Sequence, residues 1–99
     1  MYGDAKTMPR PRKQRHIQCK PLATFFKPAG IMLRDLGIVD LLHEEVEALR
    51  LVHDEKLDQK SAAQKMGISQ TTIHRTLESA YKKVTHALLK GHALRIEAE

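Results

Sequence analysis

Two stretches carry a helical spacing of apolar residues, and they dominate the pattern of the chain. Over Asp40 to Glu55 (DLLHEEVEALRLVHDE), Leu42, Val46, Leu49 and Val52 or His53 recur at helical spacing, which predicts an amphipathic helix with one apolar stripe. Asp40 or His43 stands where its cap is expected. Leu57 to Lys90 (LDQKSAAQKMGISQTTIHRTLESAYKKVTHALLK) predicts a short helix, a tight turn and a long second helix. Asp58 is placed to cap the first of these by accepting a free N–H of its first turn. Gly67 interrupts the apolar run of Ala62, Ala63 and Met66; a glycine takes positive φ without steric cost and turns the chain. Ser69 restarts it as a second cap. In the second helix Ile73, Leu77, Ala80, Val84 and Leu88 share one side. At about 100° per residue, Thr71, His74, Arg75, Glu78 and Lys82 fall nearly opposite. Gly91 is placed to end the helix after Lys90.

The rest of the chain is less periodic. Residues 1–7 are polar and patternless, and read as a leader, an alternative start or an expression remnant. Met8 to Lys20 holds Arg10, Arg12, Lys13, Arg15 and Lys20 with no acidic residue, and Pro9 and Pro11 keep its start extended. A basic arm that follows phosphates or a minor groove fits this composition, and so does a solvated tail. Arg15 to Lys20 also fits a short strand. Pro21 to Val39 mixes apolar residues with Pro28, Gly30 and Gly37. Phe25 and Phe26 are the only phenylalanines, so at least one is expected to anchor this segment to the core. Ile31 to Leu36 fits one helical turn or two. Ala93 to Ile96 fits a strand paired with Arg15 to Cys19 or with another subunit. The expected organisation is a leader (1–7), a basic arm with an irregular segment (8–39) and a helical domain (40–97). The expected fold class is mainly all-α, with short strands near the ends as the open element.

Composition narrows the picture. With two Phe, two Tyr and no Trp, the core must come from Leu, Ile, Val, Met and Ala, which suits small packed helices. A net charge of +5 and a pI near 9.6 favour anionic partners, nucleic acid first and anionic membrane second. The stretch Asp40 to Glu55 opposes that trend, with six acidic residues against Arg50 alone. Such a surface is expected to face solvent, the basic arm or a protein partner. The single cysteine, Cys19, forms no internal disulfide. No run approaches the roughly 20 apolar residues of a membrane span, and no secretory h-region opens the chain, so a cytoplasmic protein is expected. No Gly-rich phosphate loop, paired carboxylates or nucleophile motif points to an enzyme or a cofactor. His16 and Cys19 are three apart, but the other histidines are scattered, so a metal site is not expected.

The order helix, glycine, cap, helix is the helix-turn-helix layout, whose second helix can enter a DNA major groove. Gln70, Thr71, His74 and Arg75 are the candidate readers: Gln pairs two ways with adenine and Arg with guanine. Ser69 is kept for the cap, and Glu78 is expected to hold Lys82 at i+4. Arg10, Arg12, Lys13, Arg15, Arg75, Lys82 and Lys83 are the candidate phosphate contacts.

Several pieces recur in order: RPRK at Arg10 to Lys13, FFKPAGI at Phe25 to Ile31, EALRL at Glu47 to Leu51, AAQKMGIS at Ala62 to Ser69, LESAYKKV at Leu77 to Val84 and GHALRIE at Gly91 to Glu97. Together they resemble an uncharacterised family of small prokaryotic predicted DNA-binding proteins, with a helix-turn-helix similar to region 4 of sigma-70-type sigma factors. The resemblance implies a sigma-region-4 or winged-helix-like fold, binding to double-stranded DNA, and a role in transcription regulation. It also implies an alternative, docking on RNA polymerase as sigma region 4 does. A single short helix contacts few base pairs, so a homodimer or larger assembly is expected. Its contact would lie at the C-terminal end of the long helix or at terminal strands.

Overall fold

Two helices of the chain, Gln59–Met66 and Gln70–Lys90, begin where a side chain and end where a glycine satisfies the otherwise unpaired backbone groups. The computed structural model describes residues 16–18 and 20–97. Its elements in order are β1 (Phe25–Phe26), a 3-10 turn (Leu33–Asp35), β2 (Ile38–Leu41), α1 (His43–Leu49), a π-helical turn (Arg50–Asp54), α2 (Gln59–Met66), α3 (Gln70–Lys90) and β3 (Ala93–Ile96). Asp58 caps α2, accepting the Ser61 N–H at 2.7 Å. That backbone bond, then the Ser61 side chain, holds the Asp58 carboxyl below the usual aspartate range. Gly67 closes α2 with φ 68° and Gly91 closes α3 with φ 67°. Ser69 caps α3, accepting the Thr72 N–H at 3.0 Å.

The main core lies where α1, α2 and the first half of α3 meet, at Ala48, Leu51, Ala62, Ala63, Met66, Ile73 and Leu77. The three alanines let helix backbones approach closely. Leu51, Met66, Ile73 and Leu77 are fully buried, worth about 1.5–3 kcal/mol each. The buried stripe of α3 follows Ile73, Leu77, Ala80 and Ala87, with Val84 half-buried. Leu88, expected on that stripe, is 75 % exposed, and Ala87 takes its place.

The first predicted helix starts later than its periodicity suggested. Asp40 and Leu41 belong to β2, and neither Asp40 nor His43 caps α1. Leu42 occupies the cap position, and its N–H donates to Glu45 Oε1 at 2.8 Å. A leucine offers no acceptor in return, so this is half of a capping box. His43, the first residue of α1, donates its N–H to Glu97 Oε1 at 3.0 Å, tying α1 to the end of β3.

Three short strands pack beside the helices in the order β1-β3-β2. β3 is central, antiparallel to β1 and parallel to β2. The expected strand at Ala93 to Ile96 is present, but among the described residues its partners are Phe25–Phe26 and Ile38–Leu41. Residues 16–18 form no strand. Phe25 and Phe26, of which at least one was expected to anchor the segment in the core, are 37 % and 54 % exposed; they hold β1 by backbone pairing instead. In the β2–β3 register Asp40 stands beside Arg95, and the guanidinium grips the carboxylate at 2.6 and 3.1 Å. That hydrogen bond leads the Asp40 carboxyl below the ordinary aspartate range.

Candidate nucleic-acid interface

The first two turns of α3 divide cleanly. Ile73 and Leu77 face the core, while Gln70, Thr71, His74 and Arg75 are exposed. Lys82, two turns later, is exposed as well. Among the described residues, no hydrogen bond or ion pair within the chain occupies the Gln70, Thr71, His74, Arg75 or Lys82 side chains. Glu78 is also exposed, and no ion pair joins it to Lys82 among the described residues. Around these groups the polar side chains are committed. Ser69 Oγ donates to Thr72 Oγ1 at 2.8 Å, and Thr76 Oγ1 donates to the Thr72 carbonyl at 2.8 Å. The caps therefore fix where α3 starts, and the exposed side chains of Gln70, Thr71, His74 and Arg75 project from a start that is fixed.

The cations sort the same way. Lys83, a candidate phosphate contact from sequence, belongs to the structure: its Nζ donates to Glu45 Oε1 at 2.9 Å. Arg50 bonds Glu47 at 3.0 Å and Glu55 at 2.6 Å, and Arg95 holds Asp40. Arg75 and Lys82 stay uncommitted. The last turn of α2 adds exposed Gln64 and Lys65, which the pattern of α3 alone did not point to. Their position on the first helix of the pair, which crosses the DNA backbone in such layouts, is the signal that marks them. Arg10, Arg12, Lys13 and Arg15 lie outside the described residues.

The acidic stretch faces solvent only in part: Asp40, Asp54 and Glu55 are exposed, while two of its six acidic residues turn inward. Glu45 and Glu47 are 2 % and 1 % exposed. Glu45 accepts from Leu42 N–H, from Ser79 Oγ at 2.5 Å and from Lys83, binding α1 to α3. Glu47 accepts from Arg50 and from the Gln18 N–H at 3.1 Å. An extra turn at Arg50–Asp54 is π-helical, and His53, expected to border the core, is exposed and bonds Tyr81 OH at 2.5 Å. Among the described residues no group of three or more His, Cys, Asp or Glu is arranged to hold a metal ion; Cys19 lies outside them. No helix among them is long and apolar enough to cross a membrane.

Comparison with known proteins places the chain in a family. The model of "Protein of unknown function DUF134" matches residues 5–99. A "UPF0251 protein" of Pelotomaculum thermopropionicum is 49 % identical over 89 residues, covering 90 % of this chain and 67 % of that protein. One from Desulforudis audaxviator is 50 % identical over 90 residues, with 91 % and 59 % covered. One from Methanosarcina acetivorans is 47 % identical over 88 residues, with 89 % and 79 % covered. The chain thus spans from 59 % to 79 % of the length of these relatives. No solved structure matches it. With nearly its whole length matched and close to half its residues shared with bacterial and archaeal relatives, the chain belongs to this family of small prokaryotic proteins.

Proposed function

We propose that the chain is a sequence-specific binder of double-stranded DNA that regulates transcription, with α2, the Gly67 turn and α3 acting as a helix-turn-helix similar to sigma region 4. One observation carries this reading. Gln70, Thr71, His74 and Arg75 cluster on the exposed side of a well-capped helix start, and no partner among the described residues uses their side chains. Unpaired donors and acceptors on a rigid helix are what base edges in a major groove require. Arg75 suits guanine and Gln70 suits adenine. Thr71 suits a thymine methyl or a phosphate, and Lys65, Lys82 and the cations of the arm suit phosphates.

A titration of fluorescent duplex DNA tests this. Wild type is expected to bind with an affinity that falls as salt rises. Arg75→Ala is expected to cost about 1–3 kcal/mol, about 5- to 150-fold in affinity, at the preferred site and to relax preference at one base pair. Wild type without salt-dependent DNA binding would overturn the proposal.

Docking on RNA polymerase without DNA is the second reading. It drew its support from an acidic α1 surface, and that support shrinks because Glu45 and Glu47 point inward. Self-association belongs to the favoured reading, since one helix contacts few base pairs. Leu88 and Leu89 are 75 % and 78 % exposed at the end of α3 farthest from the readers. Light scattering at micromolar concentration is expected to show a dimer for wild type and a monomer for Leu88→Lys combined with Leu89→Lys.

A further inference from the structure

The last turns of α3 carry an apolar ridge with a hollow on either side. Leu88 and Leu89 form the ridge, at 75 % and 78 % exposure. On one flank Leu88 closes an apolar groove of about 330 Å³ with Phe26, Pro28, Ala87 and Leu94. Phe26 stands opposite Leu94 in the β1–β3 register, so the sheet supplies one wall of that groove. On the other flank Leu89 borders a more open hollow with Tyr81, Thr85 and His86. Phe26 and Tyr81 are themselves 54 % and 37 % exposed, so apolar surface runs from the ridge into both hollows.

The extent of this face says what fits it. Phe26, Tyr81, Leu88 and Leu89 together expose on the order of 500 Å², the size at which an apolar patch marks an interaction site. With a rim of Lys27, His86, Lys90 and His92 the face reaches roughly 800 Å², which is what each partner buries in a stable interface of standard size. A two-fold axis sets one surface against itself, so a face that serves it must be self-complementary. A ridge beside a groove meets that condition, because the ridge of one copy seats in the groove of the other.

Helix geometry then limits where the two α3 starts can lie. Leu88 and Leu89 follow Gln70 and Thr71 by about five whole turns at 3.6 residues per turn, so all four lie on one side of α3. The ridge is about 25 Å further along the axis, too far to share a major groove that is about 12 Å wide. Two such arms joined at their ridges, with about 8–10 Å between the helix axes, hold their starts at most about 60 Å apart. One turn of B-DNA, about 34–36 Å, is within that reach when the arms open to roughly 90°; two turns are not.

We propose that a second copy of this chain covers the Leu88–Leu89 face, and that the pair holds two α3 starts one turn of DNA apart on an inverted repeat. The inference rests on the DNA-binding reading and adds to it the architecture of the site. The arms of α3 act as a ruler, and the ridge is its hinge point.

Fluorescence titrations of the full chain test the ruler. The duplexes carry two inverted copies of the base-pair motif that wild type selects, with centres about 5, 10, 15 or 20 base pairs apart. Wild type is expected to bind the 10-base-pair duplex about 10²-fold more tightly than the others, through the avidity of a joined pair. Leu88→Lys combined with Leu89→Lys loses that preference and keeps the affinity for a single motif, which also shows that it folds. Leu88→Met combined with Leu89→Met retains the preference. Tightest binding at another spacing or on direct repeats, or a preference that survives the double lysine variant, overturns the ruler and leaves the DNA reading standing. Failure of wild type to select any motif overturns both.

Discussion

Neutralising Arg10, Arg12, Lys13 and Arg15 together is expected to weaken DNA binding by about 10²- to 10³-fold near physiological salt, and to reduce the salt slope by about 3–4. Each cation at a phosphate releases condensed counterions, worth about 0.9 of slope. The start of α3 offers few cations of its own. Arg75 is the one among the candidate readers, and Lys82 lies two turns further on. The remaining basic groups near α3 are partly committed, Lys83 to Glu45 above all. Most of the sequence-independent attraction must then come from elsewhere, and the arm is the densest run of positive charge in the chain. Because phosphates carry no sequence, the loss should be nearly equal for preferred and random duplexes. Anisotropy titrations at several salt concentrations separate this from the Arg75→Ala effect, which should be larger on the preferred duplex.

Glu45→Ala is expected to destabilise the fold by about 2–4 kcal/mol, read as a lower denaturant midpoint with an unchanged m-value. The carboxylate is 2 % exposed and accepts from Leu42 N–H, Ser79 Oγ and Lys83 Nζ. Its removal strips the Leu42 N–H at the start of α1 of its acceptor and cuts the polar tie to α3. The cost falls below that of a fully buried pair, because Lys83 is 30 % exposed and its ammonium can turn to water. Lys83→Met gives the complementary result. It leaves the carboxylate with two neutral donors, lowers stability, and leaves the salt slope of DNA binding unchanged. A reduced slope in a folded Lys83→Met protein would return Lys83 to the phosphate contacts.

What was legible in the sequence was local. Asp58, Gly67, Ser69 and Gly91 each act within four residues of their own position, so their residue type nearly determines their role. The exposed set on α3 was legible for the same reason. What escaped was set by contacts distant in sequence. β1 and β2 are two and four residues long, with no alternation strong enough to declare them, and they exist because β3 supplies their hydrogen bonds from about fifty to seventy residues away. Glu45 and Glu47 looked like solvated charges because nothing near them in sequence foretold Lys83, Ser79 or Gln18. On α3 the packed stripe moves in steps of four and three residues, and after Val84 that rule selects Ala87. Leu88 lies about 60° to one side of the line through Ile73, too far for a narrow contact with the sheet. The candidate site divides likewise: the exposed polar set on α3 was visible, while the hydrogen bond from the His16 N–H to the Met66 carbonyl beside Gly67 joins residues that no local pattern pairs.

The central claim is that the exposed start of α3 reads base pairs. Selection of duplexes from a random pool by wild type and by Arg75→Ala tests it most directly. The account predicts one enriched motif for wild type, and for Arg75→Ala the same motif with a guanine preference lost at a single position. Pools that show no enrichment, or identical motifs from the two proteins, would contradict it.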